Sequence, residues 1–224
     1  MKKNMFTILM SFIMLITASV SGEATIIQLY SPASISNAKT INFDGYADNT
    51  EANTLYQGQG ITFTRDDGQA IPLINLTSRG FTTTSPDNVL ATVWYSGNTD
   101  YVTHLNVLSP TPLLEMGAYF GNDQYSLFFS NIRMSIFDSS DNLLGSVELA
   151  VNNNSSVDQF IGIQSDISFN RVRFDNIAAD GSQSTMYSVV IDDLTYSSTV
   201  PEPSTFLLLG AGLGGLALLR RKRS

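Results

Sequence analysis

The chain has 224 residues, of which only 14 % are charged, and its formal net charge is −8. It contains no cysteine, which excludes disulfide bonds, thiol catalysis and zinc bound by sulfur. Half of the basic residues lie at the two ends, so the stretch between them holds six basic and eighteen acidic residues. Because an acidic domain repels phosphate backbones, we expect no nucleic-acid partner.

Residues 1–24 predict a secretory signal peptide. Two lysines give a positive start, and an apolar run follows over about residues 5–16. The small residues after this run predict cleavage between Ser21 and Thr25. The apolar run is shorter than the roughly 20 residues that span a bilayer, which argues against the alternative of a short membrane anchor. We expect the secretion machinery and signal peptidase to act here.

Residues 25–197 predict one all-β ectodomain, an antiparallel β-sandwich. Short segments with strand composition end in turn residues, as in 40–44, 60–64 and 91–95. Apolar and polar residues alternate strictly in 132–136, which is typical of a strand with one buried face. No segment between the two ends shows sustained helical periodicity. About a dozen strands at this spacing favour a sandwich.

Two hairpins are predicted in the second half of this domain. A turn over 138–142 leads into a strand over 143–151, where Val147 and two further apolar residues share a face. Segments 159–163 and 167–174 are predicted to pair across a turn at Ser165 and Asp166. The last strand is predicted over 186–196.

Residues 198–224 predict an anchoring tail. Pro201 and Pro203 fix an extended segment, and an apolar helix is predicted over about 204–219. Its 14 uncharged residues from Phe206 to Leu219 would span about 21 Å, which is short for a hydrocarbon core of about 30 Å even with Ser204 and Thr205 added. A basic cluster ends the chain and predicts a stop-transfer signal that stays in the cytoplasm. The cluster consists of Arg220, Arg221, Lys222 and Arg223.

The order Pro201-Glu202-Pro203, glycine-rich apolar helix and basic cluster, behind a signal peptide, resembles the PEP-CTERM sorting signal. The alternative is an ordinary tail anchor with proline in its linker. The resemblance implies a Gram-negative bacterium and processing near Pro201–Pro203 by an exosortase, a membrane-embedded cysteine transpeptidase-like enzyme. It also implies an ectodomain held outside the cytoplasm at the inner membrane, then found at the cell surface or in the extracellular space.

A second resemblance covers residues 39 to 196. The segments INFD, SIFDSSDNLLGS, FIGIQSD, FNRVRF and VVIDDLTY follow in this order. They resemble jelly-roll ectodomains that often carry this tail, and in outline they look like carbohydrate-binding modules. The resemblance implies a jelly-roll sandwich and leaves the ligand open.

Asp44, Asp192 and Asp193 are the candidate metal ligands. In sandwiches of this outline the first and last strands often meet, and a structural calcium can join them through oxygen ligands. Adjacent strand residues point to opposite faces, so we expect only one of the aspartate pair to join Asp44. The alternative is that Asp44 caps a turn and the pair lies where the strand leaves the sheet. Calcium is the one cofactor that we consider.

No catalytic residue is predicted. His104, the single histidine, lacks a nucleophile motif beside it and is expected to be an ordinary strand residue. Glu51, Glu115 and Glu148 are scattered, and nothing marks two of them as a glycosidase pair. Six aromatic residues would form a sugar-stacking platform if exposed, but a core role is favoured. They are Trp94, Tyr95, Tyr101, Tyr119, Phe120 and Tyr125.

The sequence therefore predicts an exported bacterial surface or extracellular-matrix protein without enzymatic activity, which binds exopolysaccharide or mediates adhesion. Two alternatives stay open at this point. One is a secreted polysaccharide hydrolase, and the other is a purely structural surface protein without a specific ligand.

Overall fold

A computed structural model of the protein describes residues 23–92, 104–121, 130–184 and 188–197. They form ten strands and three short 3-10 helices, at 32–34, 57–59 and 77–79. The strands are β1 Ile26–Leu29, β2 Lys39–Ile41, β3 Thr62–Thr64, β4 Leu73–Asn75, β5 Asn88–Ala91, β6 His104–Gly121, β7 Asn131–Phe137, β8 Leu143–Ala150, β9 Val157–Ile177 and β10 Val190–Ser197. Within these ranges no helix has the length and apolar character to cross a membrane. Residues 1–22 of the predicted signal peptide and the whole predicted tail lie outside the described residues.

All strand pairs of the sheet are antiparallel. The order is β4-β5-β10-β6-β9-β7-β8, while β1 pairs with β9, β2 with β10 and β3 with β6. This arrangement confirms the predicted all-β antiparallel sandwich.

The two longest strands, β6 and β9, take part in both layers of the sandwich. In one layer, residues 106–108 of β6 pair with β3 and residues 171–177 of β9 pair with β7. In the other layer, residues 115–120 of β6 pair with β10 and residues 162–165 of β9 pair with β1. The two strands pair with each other in both layers. The β6–β9 register breaks between Leu108 and Leu113, where Pro110 and Pro112 lie. Proline has no N–H to donate to a ladder, so the strands change direction there. We call the layer with β10 the first sheet and the layer with β3, β7 and β8 the second sheet.

One hydrophobic core lies between the two sheets. It joins inward side chains of the first sheet, such as Ile163 and Leu194, to those of the second, such as Ile136 and Phe174. Phe43 is fully buried among them, although it has a left-handed backbone with φ of 62°. Each such side chain contributes about 1.5–3 kcal/mol when it leaves water.

The predicted hairpin across Ser165 and Asp166 is wrong. Residues 157–177 form the single strand β9 instead. Ser165 is buried and pairs with Ile26 of β1, and Asp166 accepts a hydrogen bond of 2.7 Å from the N–H of Thr25. The N-terminal segment therefore satisfies the polar groups that would otherwise favour a turn.

Other predicted strands are confirmed with shifted ends, except the one over 91–95, because β5 ends at Ala91 and residues 93–95 lie outside the described ranges. β7 contains the alternating segment, and its Ile132, Met134 and Ile136 face the core. The predicted strand over 40–44 ends at Ile41, because the left-handed backbone of Phe43 cannot continue it.

Candidate functional site

Two regions of the surface hold candidate functional residues. The first is the acid site, which consists of Asp44, Asp192 and Asp193. The last two lie where the pairing of β10 with β6 shifts register between Asp192 and Thr195, and Asp193 has a φ of 46°. Asp44 follows β2 and lies close enough to Asp193 for its charge to raise the pKa of that carboxyl. The fold thus brings Asp44 to one member of the pair.

Asp192 is a fully buried carboxylate with all its acceptor positions in use. Its Oδ1 accepts hydrogen bonds from the hydroxyl of Ser85 and from the N–H of Asp193, both at 2.8 Å. Its Oδ2 accepts from the hydroxyl of Thr84 and the N–H of Ser85, also at 2.8 Å. Burial raises the pKa of Asp192, and the bonds from Ser85 and Thr84 oppose that rise. Because a carboxylate offers about four lone-pair positions, Asp192 holds the segment around Ser85 against β10 and keeps none for a metal.

Asp44 keeps one oxygen without a partner. Its Oδ1 accepts from the N–H groups of Asp87 and Asn88, at 3.1 and 3.0 Å. Its Oδ2 is buried and has no partner among the described residues, and the same holds for Oδ1 of Asn88, a residue only 2 % exposed. The Nδ2 of Asn88 donates to the carbonyl of Tyr46 at 2.9 Å. A buried oxygen without a partner costs about 1–3 kcal/mol, and hard cations bind such oxygens.

Asp193 carries a charge that the fold does not neutralise. Burial raises the pKa of its carboxyl, a hydrogen bond from Thr84 lowers it, and the charge of Asp44 raises it further. Every described arginine forms an ion pair with an acid elsewhere. The pairs are Arg65–Asp67, Arg79–Asp48, Arg133–Glu148, Arg171–Asp141 and Arg173–Asp175.

These contacts decide how well the acid site suits calcium. Within the described ranges, no three His, Cys, Asp or Glu side chains are arranged to hold a metal ion. The oxygens that stay open within the described residues are Oδ2 of Asp44 and Oδ1 of Asn88, while Asp193 lies near enough for the charge of Asp44 to raise its pKa. Calcium accepts carboxylate and amide oxygens alike, so these two oxygens suit a calcium ion by their chemistry.

The second region is a groove on the solvent side of the second sheet, which we call the outer groove. It is open and has a volume of about 480 Å³. Thr62 of β3, Leu108 of β6 and Arg171 of β9 are register neighbours and line its floor. Gln57 and the β7–β8 turn over 138–141 contribute its sides.

Arg171 is held rigidly at this groove. Its guanidinium lies 3.6 Å from the ring centroid of Phe137. Its Nε donates to Oδ1 of Asp141 at 2.7 Å, and its Nη1 donates to Oδ1 of Asn106 at 3.0 Å. Stacking and two directed hydrogen bonds fix the planar group in one orientation.

The hydrogen-bond chain continues from Asn106 across the same face. Nδ2 of Asn106 donates to Asp66 at 2.8 Å, and Nε2 of His104 lies 3.2 Å from the other oxygen of Asp66. Nδ1 of His104 makes a short contact with the buried Asp175, whose second oxygen accepts from Nε of Arg173 at 3.0 Å. His104 is indeed a strand residue, the first of β6, but it lies between two carboxylates.

Sequence reasoning missed this polar face. Its signal is the alternation Asn170, Arg171, Val172 and Arg173, in which both arginines point away from the core. Their partners lie on other strands, so the alternation alone does not identify them.

The glutamates that were considered for hydrolysis have separate environments. Glu115 is buried and accepts from the N–H of Ser36 and from Gln164. Glu148 pairs with Arg133, and Glu51 lies at a bridge to Pro72. Among the described contacts none links two of the three.

The predicted turn at Asp138 is confirmed. Its Oδ1 accepts from the N–H groups of Ser140 and Asn142, and its Oδ2 accepts from the Asn142 amide. The side-chain hydrogen bond from Asn142 is the largest cause that lowers the pKa of Asp138. Asp138 therefore acts as the hydrogen-bonding residue of the β7–β8 turn.

Two of the six aromatic candidates are described. Phe120 is buried in the core, and Tyr119 packs edge-on against Phe160 with ring centroids 5.3 Å apart. Phe120 therefore offers no ring to a sugar, whereas Tyr119 is partly exposed. The other four lie outside the described residues.

Comparison with known proteins gave a family match at the C-terminus, and no curated protein matches the chain. Structures with a similar fold include the K2 cleaved adhesin domain of Lys-gingipain, at 12 % identity and a TM-score of 0.48, covering 71 % of this chain and 99 % of that one. A DUF4465 family protein from Bacteroides caccae has 11 % identity and a TM-score of 0.39, covering 82 % and 97 %. The Streptococcus pneumoniae fucose binding module SpX-3 has 14 % identity and a TM-score of 0.34, covering 50 % and 73 %. All three TM-scores are below 0.5, so these likenesses carry no conclusion about this chain.

The family match is the model of the PEP-CTERM protein-sorting motif, and it covers residues 199–223. This range includes Pro201–Pro203 and the whole basic cluster, so it coincides with the tail predicted from the sequence. The motif implies an exported protein that is anchored in a membrane until an exosortase processes it. The chain thus carries a PEP-CTERM protein-sorting motif at residues 199–223, behind an all-β domain.

Proposed function

We propose that this protein acts without catalysis at the cell surface or in the extracellular matrix, where its sandwich binds exopolysaccharide and so mediates adhesion. Export and exosortase sorting follow from the motif at residues 199–223. We further propose that signal peptidase removes residues 1–24 and that an apolar helix over about 204–219 anchors the protein in the inner membrane before processing. The acidic domain makes nucleic acid an unsuitable partner.

The outer groove is the observation that carries this proposal. Its volume of about 480 Å³ falls in the range of roughly 300–1,000 Å³ that is usual for ligand sites. Planar polar side chains with fixed orientation, above all Arg171, line it. Such groups can donate to and accept from several sugar hydroxyls at once.

The state of the acids in this groove favours binding over hydrolysis. A glycosidase needs a carboxylic acid with a raised pKa to protonate the leaving group. Hydrogen bonds lower the pKa of Asp138, and Asp141 is paired with Arg171. Asp138 therefore lacks the environment of a general acid, and one oxygen of Asp141 is engaged by Arg171.

We also propose a structural role for calcium at the acid site. Asp44 and Asn88 would hold the ion through their open oxygens and Asp193 would add its carboxylate, while Asp192 would keep its four hydrogen bonds. The ion would neutralise two adjacent carboxylates and join the start of the domain to its last strand.

Binding of the exopolysaccharide of the producing strain tests the main proposal. Full-length protein in detergent micelles is mixed with the labelled polymer, and bound polymer is measured together with polymer length over time. Saturable binding with constant polymer length is expected. No binding would contradict the proposal, and steady shortening of the polymer would show a hydrolase instead.

A further inference from the structure

We infer that the outer groove binds a neutral glycan, with Gln57, Asp141 and Asn170 as its hydrogen-bonding residues. This inference rests on the proposed binding of exopolysaccharide and assigns it to one site and one class of polymer.

The polar groups on the sides of the groove are available to a ligand. Gln57 is exposed, and its side-chain amide has no hydrogen bond among the described residues. Asn170 uses Nδ2 to donate to the carbonyl of Ser109 at 3.0 Å, which leaves its Oδ1 open. Asp141 is 73 % exposed and uses one oxygen for Arg171. The groove therefore offers both acceptors and a donor, as sugar hydroxyls require.

Apolar surface lies between these polar groups. Leu108 and Pro110 line the groove beside Thr62. Sugar rings carry C–H faces as well as hydroxyls, and burial of such faces against apolar side chains is favourable. The hydroxyls of a sugar ring can thus bond to the polar groups of the groove, and its C–H faces can pack on the apolar side chains.

The charges of the groove favour a neutral polymer over an acidic one. Asp138 and Asp141 outnumber the one guanidinium of Arg171, which Asp141 already neutralises. The protein as a whole has a net charge of −8. Uronate or sulfate groups would meet a negative potential here, whereas uncharged hydroxyls would not.

The groove is also pre-organised, which lowers the entropy cost of binding. Stacking on Phe137 fixes Arg171, and three hydrogen bonds to Asp138 fix the β7–β8 turn. Asp141 has a φ of 69°, a left-handed backbone that asparagine also tolerates.

Two glutamines in one 3-10 helix provide a matched pair for the test. Gln57 lines the groove, whereas Gln59 is exposed in the same helix and does not line it. Four full-length proteins are compared in detergent: wild type, Gln57→Ala, Gln59→Ala and Asp141→Asn. Each is titrated with a neutral glucan, with a polyuronate and with the strain's own exopolysaccharide. Equal thermal midpoints for the two glutamine variants confirm that any difference in binding is local.

We expect wild-type protein to prefer the neutral glucan. Gln57→Ala should weaken that binding roughly three- to tenfold, as for the loss of one hydrogen bond, and Gln59→Ala should leave it unchanged. Asp141→Asn should also weaken it, because the amide replaces an acceptor by a donor.

Three results would overturn the inference, and they differ in what they leave standing. Equal binding by both glutamine variants would show that the outer groove is not the binding site, while the proposed function would still stand. Preference for the polyuronate, increased by Asp141→Asn, would replace the neutral glycan by an anionic one. Absence of binding to all three polymers would overturn the proposed function as well.

Discussion

The outer face of the second sheet and the acid site beside β10 both carry several carboxylates, but only the first also carries cations. On the outer face, Asp141 faces Arg171, and Asp175 lies between His104 and Arg173. At the acid site, Asp192 is held by hydroxyl and N–H donors.

The difference reflects how few cations this chain has between its ends. All five described arginines are paired away from the acid site, and the remaining basic residue, Lys39, is exposed. Buried carboxylates without a fixed cation must rely on hydrogen bonds, on protonation or on a solvent cation. Loss of charge at Asp193 of the acid site should therefore raise stability, whereas loss of charge at Asp175 of the outer face should lower it.

The largest effect is expected from Asp192→Ala. The change leaves two N–H groups and two hydroxyls without their buried acceptor, so we expect a loss of about 3–5 kcal/mol in the free energy of unfolding. Urea unfolding of the full-length protein measures it. Thr84→Ala removes only one of the four donors and should cost much less. An equal loss in both variants would mean that Asp192 is not the centre of this network.

Asp175→Asn should break the charge balance of the outer face. The change leaves His104 and Arg173 without their buried anion, and we expect a loss of about 2–4 kcal/mol. Asp66→Asn is the matched control, because Asp66 is half exposed and should change stability by less than about 1 kcal/mol. If Asp175→Asn were neutral, the pairing on this face would have no net value for stability.

Calcium should stabilise the acid site alone. At a concentration one hundred times its dissociation constant it adds about 2.7 kcal/mol, which corresponds to a rise of roughly 5–10 °C in the thermal midpoint. Asp44→Ala should abolish this rise, and Asp66→Ala on the outer face should retain it. A midpoint that calcium does not change in wild-type protein would remove the ion from the proposal.

Asp193→Asn should raise stability slightly when calcium is chelated at neutral pH. Burial and Asp44 raise the folded-state pKa of Asp193, so the folded state binds the proton more tightly than the unfolded state. The contribution of this carboxyl is unfavourable above its folded-state pKa and disappears as the pH falls below its unfolded-state value. After allowance for solvent screening we expect a gain below about 1 kcal/mol. Urea midpoints of both proteins from pH 4 to 8 should converge toward acid pH, and parallel curves would contradict this assignment.

Several parts of the fold could be predicted from local sequence. The alternation of Ile132, Met134 and Ile136 is a local signal, and it gave β7 with the correct inward face. The Asp138 turn likewise depends on bonds within four residues. The continuity of β9 could not be predicted, because Ser165 and Asp166 are turn residues by composition and become extended only through β1.

The acid site was predictable in its members but not in their roles. The sequence predicted that one of Asp192 and Asp193 approaches Asp44, and Asp193 is the one whose pKa the charge of Asp44 raises, although Asp44 follows β2 and not the first strand. Asp192 became a structural residue because Ser85, 107 positions earlier, supplies two of the four hydrogen bonds to its carboxylate. Contacts at such separation leave no local pattern.

The sharing of β6 and β9 between the two sheets has a consequence for export. His104, the first residue of β6, pairs with Asp175 of β9, and Ile41 of β2 pairs with Leu194 of β10. Pairings between such distant residues form slowly, because the loop must close before the contact stabilises it. The sandwich therefore cannot close while its last strand is still being made or threaded. A polypeptide that crosses a membrane in extended form stays competent for that passage when its topology delays folding until nearly the whole domain has emerged.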